Sequence, residues 1–390
     1  MKVAHLADTH LGYYQYHLSE RKEDFFRAFE EAVEEALSRE VDFIVHSGDL
    51  FESYHPDVDT LNRAVSVLRK VKEAGVPFLA ITGNHDRPIR RGVCPPQELL
   101  ENLGLLTLLD FNRLEKPVVL KGVYFAGVRY LPKKHLEAFL ESRREELSAN
   151  AEKFGLSVFL FHQAIEPLSS FEGAYELYVP QLPDGFTYYA AGHVHKPFVC
   201  RHPSSGAVVY PGATEYRSKR EVKESRGFVI YDLERGEIER VELKKVRPFI
   251  SSSFSEENAP EALKELLAQV ESAPEPPVVL IDYLFERVNL ESFEDYLKPI
   301  REKALTVRVF KSLVEAKGGE GSIIGAEPVT YAEYLEAFVS KRRFHKEVLE
   351  LGKVLLQGKP QDVRGIVLNH LKEQLGEFYP TVERRLFETP

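Results

Sequence analysis

Five short apolar runs, each ending abruptly in polar residues of metal-ligand type, constrain this 390-residue chain more than any other feature. Residues 3–7 run into Asp8-Thr9-His10, residues 41–45 into His46-Ser47-Gly48-Asp49, and residues 76–81 into Thr82-Gly83-Asn84-His85-Asp86. Further along, 157–161 precedes His162, and 188–191 precedes Gly192-His193-Val194-His195. Apolar runs this short, separated by helical patterns, predict strands buried on both faces. Between the first two runs, Phe25, Phe29, Val33, Ala36 and Leu37 share one helix face. Between the second and third, Leu61, Ala64, Val65, Leu68 and Val71 do the same, and Gly75 is a natural stop. Strands alternating with helices predict an α/β layered domain whose ligands gather at the carboxyl ends of the strands. All five polar clusters fall there.

Taken together, Asp8, His10, Asp49, Asn84, His162, His193 and His195 offer two carboxylates, one amide oxygen and four imidazoles. That set is too large for one ion and suits two adjacent divalent cations. Mixed nitrogen and oxygen donors favour Mn²⁺, Fe²⁺ or Zn²⁺ over the all-oxygen cages of Mg²⁺ and Ca²⁺. If Asp49 bridges, the cations sit about 3.5 to 4 Å apart, where they clamp a phosphodiester and activate a water. Lys and Arg total 51 against 61 Asp and Glu, a net charge of −10, which excludes a protein that coats nucleic acid with its whole surface. Two dications against Asp8 and Asp49 still leave about two positive charges at the site, enough to draw in a phosphate.

The remaining residues divide more plainly. His5, His17, His46, His55, His135, His202, His345 and His370 read as structural, and Asp86 either orients His85 or caps the next turn. Cys94 and Cys200 form no CxxC, so they read as buried small side chains in a reducing compartment rather than as a disulfide or zinc framework. Arg87, Arg90 and Arg91 follow the third cluster directly and are candidate phosphate contacts, to DNA if the resemblance described next holds. Arg217, Lys219, Arg220, Lys223 and Arg226 form a second basic group, interrupted by Glu215, Glu221 and Glu224, and read equally well as a solvated turn. No apolar run approaches the roughly 18 residues of a membrane span, and residues 1–10 lack a leader pattern, so a cytoplasmic protein with no membrane partner is expected, and the resemblance described next implies association with the nucleoid.

The series Asp8-x-His10, Gly48-Asp49, Gly83-Asn84-His85-Asp86, His162 and Gly192-His193-x-His195 resembles the motif set of the calcineurin-like metallophosphoesterases over about residues 1–235. Within that superfamily HLADTHLGY, GDLF, GNHDR, FHQ, YYAAGHVHK, VVYPGATE and KVRPF are similar to the Mre/SbcD nuclease subunits of double-strand-break repair. The resemblance implies one metal on Asp8, His10, Asp49 and His195, and a second on Asp49, Asn84, His162 and His193. It implies that His85 positions the scissile phosphate and protonates the leaving oxygen. It further implies two divalent ions, most simply Mn²⁺, and single-strand endonuclease and double-strand exonuclease activity. DNA, an SMC-like ABC ATPase of the Rad/SbcC type and a second copy of the chain are the implied partners. Many members place a His after GDLF that touches substrate. Glu52 stands here instead, with His55 three residues on, and its carboxylate either repels the phosphate backbone or joins a hydrogen-bond network.

The expected organisation is a nuclease domain at 1–240, a small α/β cap at 241–314, a flexible linker at 315–329, a helical pair at 330–377 and a tail at 378–390. Thr330 and Glu333 make a capping-box signature, and Tyr331, Tyr334, Leu335 and Phe338 an apolar stripe. Val363, Ile366, Val367, Leu371 and Leu375 line a second helix, so Leu335 and Phe338 are candidate contacts to the ATPase unless the pair packs on itself. Two other readings share part of the pattern. A phosphatase or cyclic-nucleotide phosphodiesterase of the same superfamily would use the same metals without a tethered helix pair, and a scaffold would carry a vestigial metal site.

Overall fold

The five apolar runs form five strands, divided between two stacked sheets. The computed structural model describes residues 1–88, 92–109, 118–166, 175–204, 206–255, 258–285 and 290–313. The linker, the helical pair with Leu335 and Phe338, and both Arg90 and Arg91 lie outside them. In chain order the strands of the larger unit begin with β1 (Lys2–Leu6), β2 (Phe43–Ser47), β3 (Phe78–Ile81), β4 (Thr107–Leu108) and β5 (Val118–Leu120). They continue with β6 (Val123–Val128), β7 (Ser157–Phe161), β8 (Ile165–Glu166), β9 (Leu177–Tyr178) and β10 (Tyr188–Ala191). The last four are β11 (Phe198–Arg201), β12 (Ala207–Tyr210), β13 (Gly227–Asp232) and β14 (Ile238–Glu242). Helices α1 (Ser19–Ser38), α2 (Val58–Glu73), α3 (Pro96–Asn102) and α4 (Lys133–Phe154) connect them.

One sheet has the order β14-β13-β1-β2-β3-β4 and the other β11-β12-β10-β7-β6-β5. β1 to β4 run parallel in the first, and β6, β7, β10 and β12 run parallel in the second. Successive side chains of a strand point to opposite faces, and here both faces of both sheets are covered. Val3, Phe43, Val45, Leu79 and Ile81 face Phe125, Val158, Leu160, Tyr188 and Val209 between the sheets. The alternate residues Ala4, Leu6, Ile44 and Ala80 pack against Phe26, Phe29, Val33, Leu68 and Val71 of α1 and α2. On the far side, Tyr124, Phe159, Tyr189 and Ala191 pack against Leu136, Leu140, Leu147 and Ala151 of α4. The result is four layers, helix, sheet, sheet, helix.

Local chemistry sets the element ends. The Asp57 carboxylate caps α2 by accepting from Thr60 N at 2.8 Å, and Gly75 takes φ +71° just past its end, where other residues are strained. Buried charge is gathered on Asp24 of α1, which accepts from Arg21 Nη1 at 2.6 Å, Arg27 Nη2 at 2.9 Å and Arg247 Nε at 2.6 Å. Arg21 and Arg27 belong to α1 itself, so it is Arg247 that ties the helix to the segment after β14. Cys94 is exposed, contrary to the expectation of burial, because it lies in the short connection just before α3 rather than in an element that packs on the core; Cys200 is half-buried against the outer face of the second sheet.

The chain divides into two compact units, the larger comprising 1–251, 269–279 and 303–306. Among its described residues the smaller comprises 252–255, 258–268, 280–285, 290–302 and 307–313. Three strands over this stretch, β15 (Phe249–Ser255), β16 (Val278–Phe285) and β17 (Thr306–Leu313), form one sheet in that order. Helices α5 (Ala259–Ser272) and α6 (Leu290–Lys303) alternate with them, and Phe254, Leu263, Leu266, Leu297 and Ile300 are buried.

Leu160 is fully buried between the two large sheets. Leu160→Ala should lower unfolding stability by about 2 to 5 kcal/mol in denaturant titration, whereas Val58→Ala, at a site 72% exposed, should change it by less than about 0.5 kcal/mol.

Candidate metal centre

Pairing between β1 and β2 continues past the ends of both strands. Asp8 N donates to Gly48 O at 3.1 Å, His10 N to Asp49 O at 3.0 Å and Leu11 N to Leu50 O at 2.9 Å. The extension holds the two carboxylate-bearing loops side by side. It also forces unusual backbone, since Asp8 (φ 54°), His10 (φ 45°), Asp49 (φ 54°) and His193 (φ 85°) all adopt the left-handed region. Glycines permit the close approach of neighbouring loops. A Cβ on Gly83 would lie 2.1 Å from Asp49 Oδ1, and one on Gly192 would lie 2.1 Å from Ser47 O. The second sheet adds His162 from the end of β7, and His193 and His195 from the turn after β10.

All seven candidate donors converge. His10 Nε2 and His195 Nε2 stand 3.2 Å apart, the separation of two nitrogens on one cation at about 2.1 Å each. Asp8 Oδ1 is 3.9 Å from His195 Nε2 and 4.0 Å from His162 Nε2. Asn84 Oδ1 is 3.0 Å from His162 Nε2 and 2.9 Å from His193 Nδ1. Asp49 Oδ2 lies between the two sets, 3.9 Å from His10 Nε2 and 3.2 Å from His162 Nε2. Asp8, His10 and His195 form one compact triad and Asp8, Asp49 and His162 another, each able to hold a metal ion. Backbone amides orient the carboxylates: His193 N donates to both oxygens of Asp8 at 3.1 Å, and His85 N to Asp49 Oδ1 at 2.8 Å.

The electrostatics fit a cation site. Burial pushes the carboxyl of Asp8 up and the imidazole of His10 well down, both toward neutral forms. Burial also lowers His193 to about 3, which leaves a free nitrogen lone pair. Burial alone would lower His162, yet the Asp49 carboxylate raises it to about 9, and His162 in turn holds Asp49 well below the usual carboxylate range. A proton on His162 thus stands where a divalent cation would stand, and cation binding must displace it.

Around this centre the other predicted residues separate. His85 stands beside the donors and makes a third compact group of ligand-type side chains with His10 and Glu52: its ring lies 4.9 Å from that of His10, its Nδ1 donates to Glu52 O at 3.2 Å, and burial lowers its pKa. Arg87 stacks over Tyr130 at 5.4 Å from the ring centre, and Tyr130 lies 5.7 Å from the ring of His193. Glu52 joins a hydrogen-bond network, accepting from Arg217 Nη2 at 2.8 Å, with Oε2 2.9 Å from His10 Nδ1. Burial raises its carboxyl to about 7. Asp86 accepts from Gly83 N at 2.7 Å and Leu50 N at 2.8 Å and so staples the second and third loops together.

The second basic group is partly interior, because Arg226 is 2% exposed and bonds to Glu221 and to His195 O. Glu176 and Glu221, absent from the sequence-derived site, approach His193 Nε2 at 3.9 Å and His195 Nδ1 at 3.1 Å. Their only sequence signal is acidity beside basic or aromatic neighbours.

Gly83→Ala should shift Asp49 and Asn84 together. A displacement near 1 Å predicts about a hundredfold loss of phosphoesterase rate with unchanged far-ultraviolet circular dichroism. Wild-type rate in this variant would contradict the close approach.

The calcineurin-like phosphoesterase family matches residues 1–197, which contain all seven donors. The DNA double-strand break repair protein Mre11 of Saccharolobus solfataricus is 28% identical over 321 residues, 80% of this chain and 82% of that protein. Mre11 of Methanococcus maripaludis is 29% identical over 328 residues, covering 81% and 86%. For Mre11 of Methanocaldococcus jannaschii the values are 27% over 393 residues, 98% and 99%. With half its length matched and the donor set converged, the chain belongs to the calcineurin-like phosphoesterase family and is a metal-dependent phosphoesterase.

Proposed function

We infer that this protein is a two-metal DNA nuclease of double-strand-break repair. The carrying observation is a carboxylate shared between two imidazole sets, Asp49 Oδ2 beside His10 and His162, in a chain that aligns almost end to end with an archaeal Mre11. Asp8, His10, Asp49 and His195 would hold one cation, and Asp49, Asn84, His162 and His193 the other. Mn²⁺, Fe²⁺ and Zn²⁺ all accept this mixture of nitrogen and oxygen donors, and the family resemblance favours Mn²⁺. Bound divalent cations supply positive charge for the phosphate oxygens and make a neighbouring water easier to deprotonate.

The chain's own residues do the rest. His85, held by the Glu52 carbonyl through Nδ1, has its Nε2 3.5 Å from Arg217 Nη1, and there it can clamp the scissile phosphate beside that guanidinium. Burial keeps the ring neutral at rest, so it gains its proton as the phosphate's negative charge arrives and then passes that proton to the leaving oxygen. Arg87 would neutralise a flanking phosphate without reading sequence, and Arg90 and Arg91, outside the described residues, are candidates for the same role by sequence. The substrates are single strands cut internally and duplex ends cut stepwise. For assembly, the helices expected from sequence at 330–377 would dock on an SMC-like ABC ATPase of the Rad/SbcC type through Leu335 and Phe338, while the nuclease domain pairs with a second copy. Such a complex works in the cytoplasm on the nucleoid.

Two experiments test this reading. His85→Ala should retain both Mn²⁺ ions by calorimetry and lose at least about a hundredfold in cleavage of single-stranded DNA, while His193→Ala should bind one ion fewer. Loss of an ion from the His85 variant would remove its assigned role. In the full-length chain, Leu335→Glu with Phe338→Glu should abolish co-elution with the ATPase and leave Mn²⁺-dependent cleavage intact, since two charges would have to be desolvated at the contact. Undiminished co-elution would return the helices to packing on themselves.

A further inference from the structure

Each imidazole of the centre turns one nitrogen inward and the other outward, and each outward nitrogen faces an oxygen. His162 Nδ1 donates to Ser47 O at 2.6 Å, and His10 Nδ1 lies 2.9 Å from Glu52 Oε2. His193 Nε2 lies 3.9 Å from Glu176 Oε1. His195 Nδ1 makes a hydrogen bond of 3.1 Å to Glu221 Oε1. Glu221 differs from the other carboxylates in how firmly it is itself held. Ser218 Oγ donates to its Oε1 at 2.9 Å, Arg217 N to its Oε2 at 3.1 Å and Arg226 Nη1 to its Oε2 at 3.3 Å. The same Arg226 nitrogen donates to the backbone oxygen of His195 at 3.2 Å. A buried guanidinium therefore holds the ligand's main chain and the carboxylate behind its ring at once.

We propose that Glu221 is a positioning residue for His195, accepting the Nδ1 proton and so leaving the Nε2 lone pair aimed at the point shared with His10 Nε2. A neutral imidazole carries one N–H, and an acceptor fixed on one nitrogen decides which tautomer is populated. Without Glu221, the Nε2–H form would become accessible and would present a proton where a cation needs an electron pair. The ring would also lose the bond that sets its rotation. The proposal rests on the reading of His195 as a cation ligand, and the test separates the two.

Nitrogen-15 NMR of the histidines in the metal-free, full-length protein should report His195 as the Nδ1–H tautomer. Glu221→Ala should show a mixture containing Nε2–H and should bind Mn²⁺ at one of two sites about 10 to 100 times more weakly by calorimetry. Glu221→Gln keeps the shape and one accepting oxygen, so it should preserve the tautomer and fall between wild type and Glu221→Ala in affinity. In both variants kcat at saturating Mn²⁺ should recover further than the apparent Mn²⁺ affinity, which general loss of structure would not produce. If Glu221→Ala fails to fold, the Gln variant carries the comparison. An unchanged tautomer and unchanged Mn²⁺ affinity in whichever variant is folded overturn the proposal. A changed tautomer together with full Mn²⁺ stoichiometry in His195→Ala would instead show that His195 is no ligand.

Discussion

Two stacked sheets can aim side chains at one point only if their strand ends come into direct contact, and in this chain that contact is made at Ser47 and Gly48. The Ser47 carbonyl accepts from His162 Nδ1 of the opposite sheet at 2.6 Å, and its hydroxyl donates to Ala190 O at 2.9 Å. Behind it His5 bridges Ser47 Oγ at 2.8 Å and the Tyr188 hydroxyl at 2.7 Å, a polar thread across an otherwise apolar interface. Burial depresses His5 to about 3, so this thread carries no charge into the core. Every donor set described above depends on it, because His162, His193 and His195 arrive from one sheet and Asp8, His10, Asp49 and Asn84 from the other.

Much of this was legible in the sequence for a physical reason: strands buried on both faces must be apolar throughout, so polar residues of ligand type stand out where they end. Helices α1 and α2 were equally plain from their stripes. The division into two sheets was not, since parallel pairing partners leave no local mark and β7 reads like β2. Helix α4 was missed because only Leu136, Leu140, Leu147 and Ala151 along its 22 residues are buried, too thin a stripe to stand out.

The outer carboxylates were illegible for a different reason. Glu221 sits in a run rich in Lys and Arg, where sequence alone suggests a solvated turn; only the fold turns Arg226 inward and brings the loop behind His195. This alters the local charge sum as well. Glu221, kept ionised by His195 and its other donors against the cost of burial, sets a negative charge beside the cations, and Arg226 answers it from the far side. A phosphate drawn to bound cations would therefore meet a field shaped also by the carboxylate and guanidinium behind them, rather than by the cations alone.

The left-handed backbone at Asp8, His10, Asp49 and His193 has a consequence for how the protein wears out. Each such non-glycine residue stores on the order of 1 to 3 kcal/mol, so the three loops that carry these four residues are ready to relax. Heating or chelation would let them spring toward ordinary conformations while the sheets beneath stay paired. Inactivation would then begin as a local, reversible loosening of the rim, well before the layers melt, and an enzyme stored without its ions would lose competence while still appearing folded.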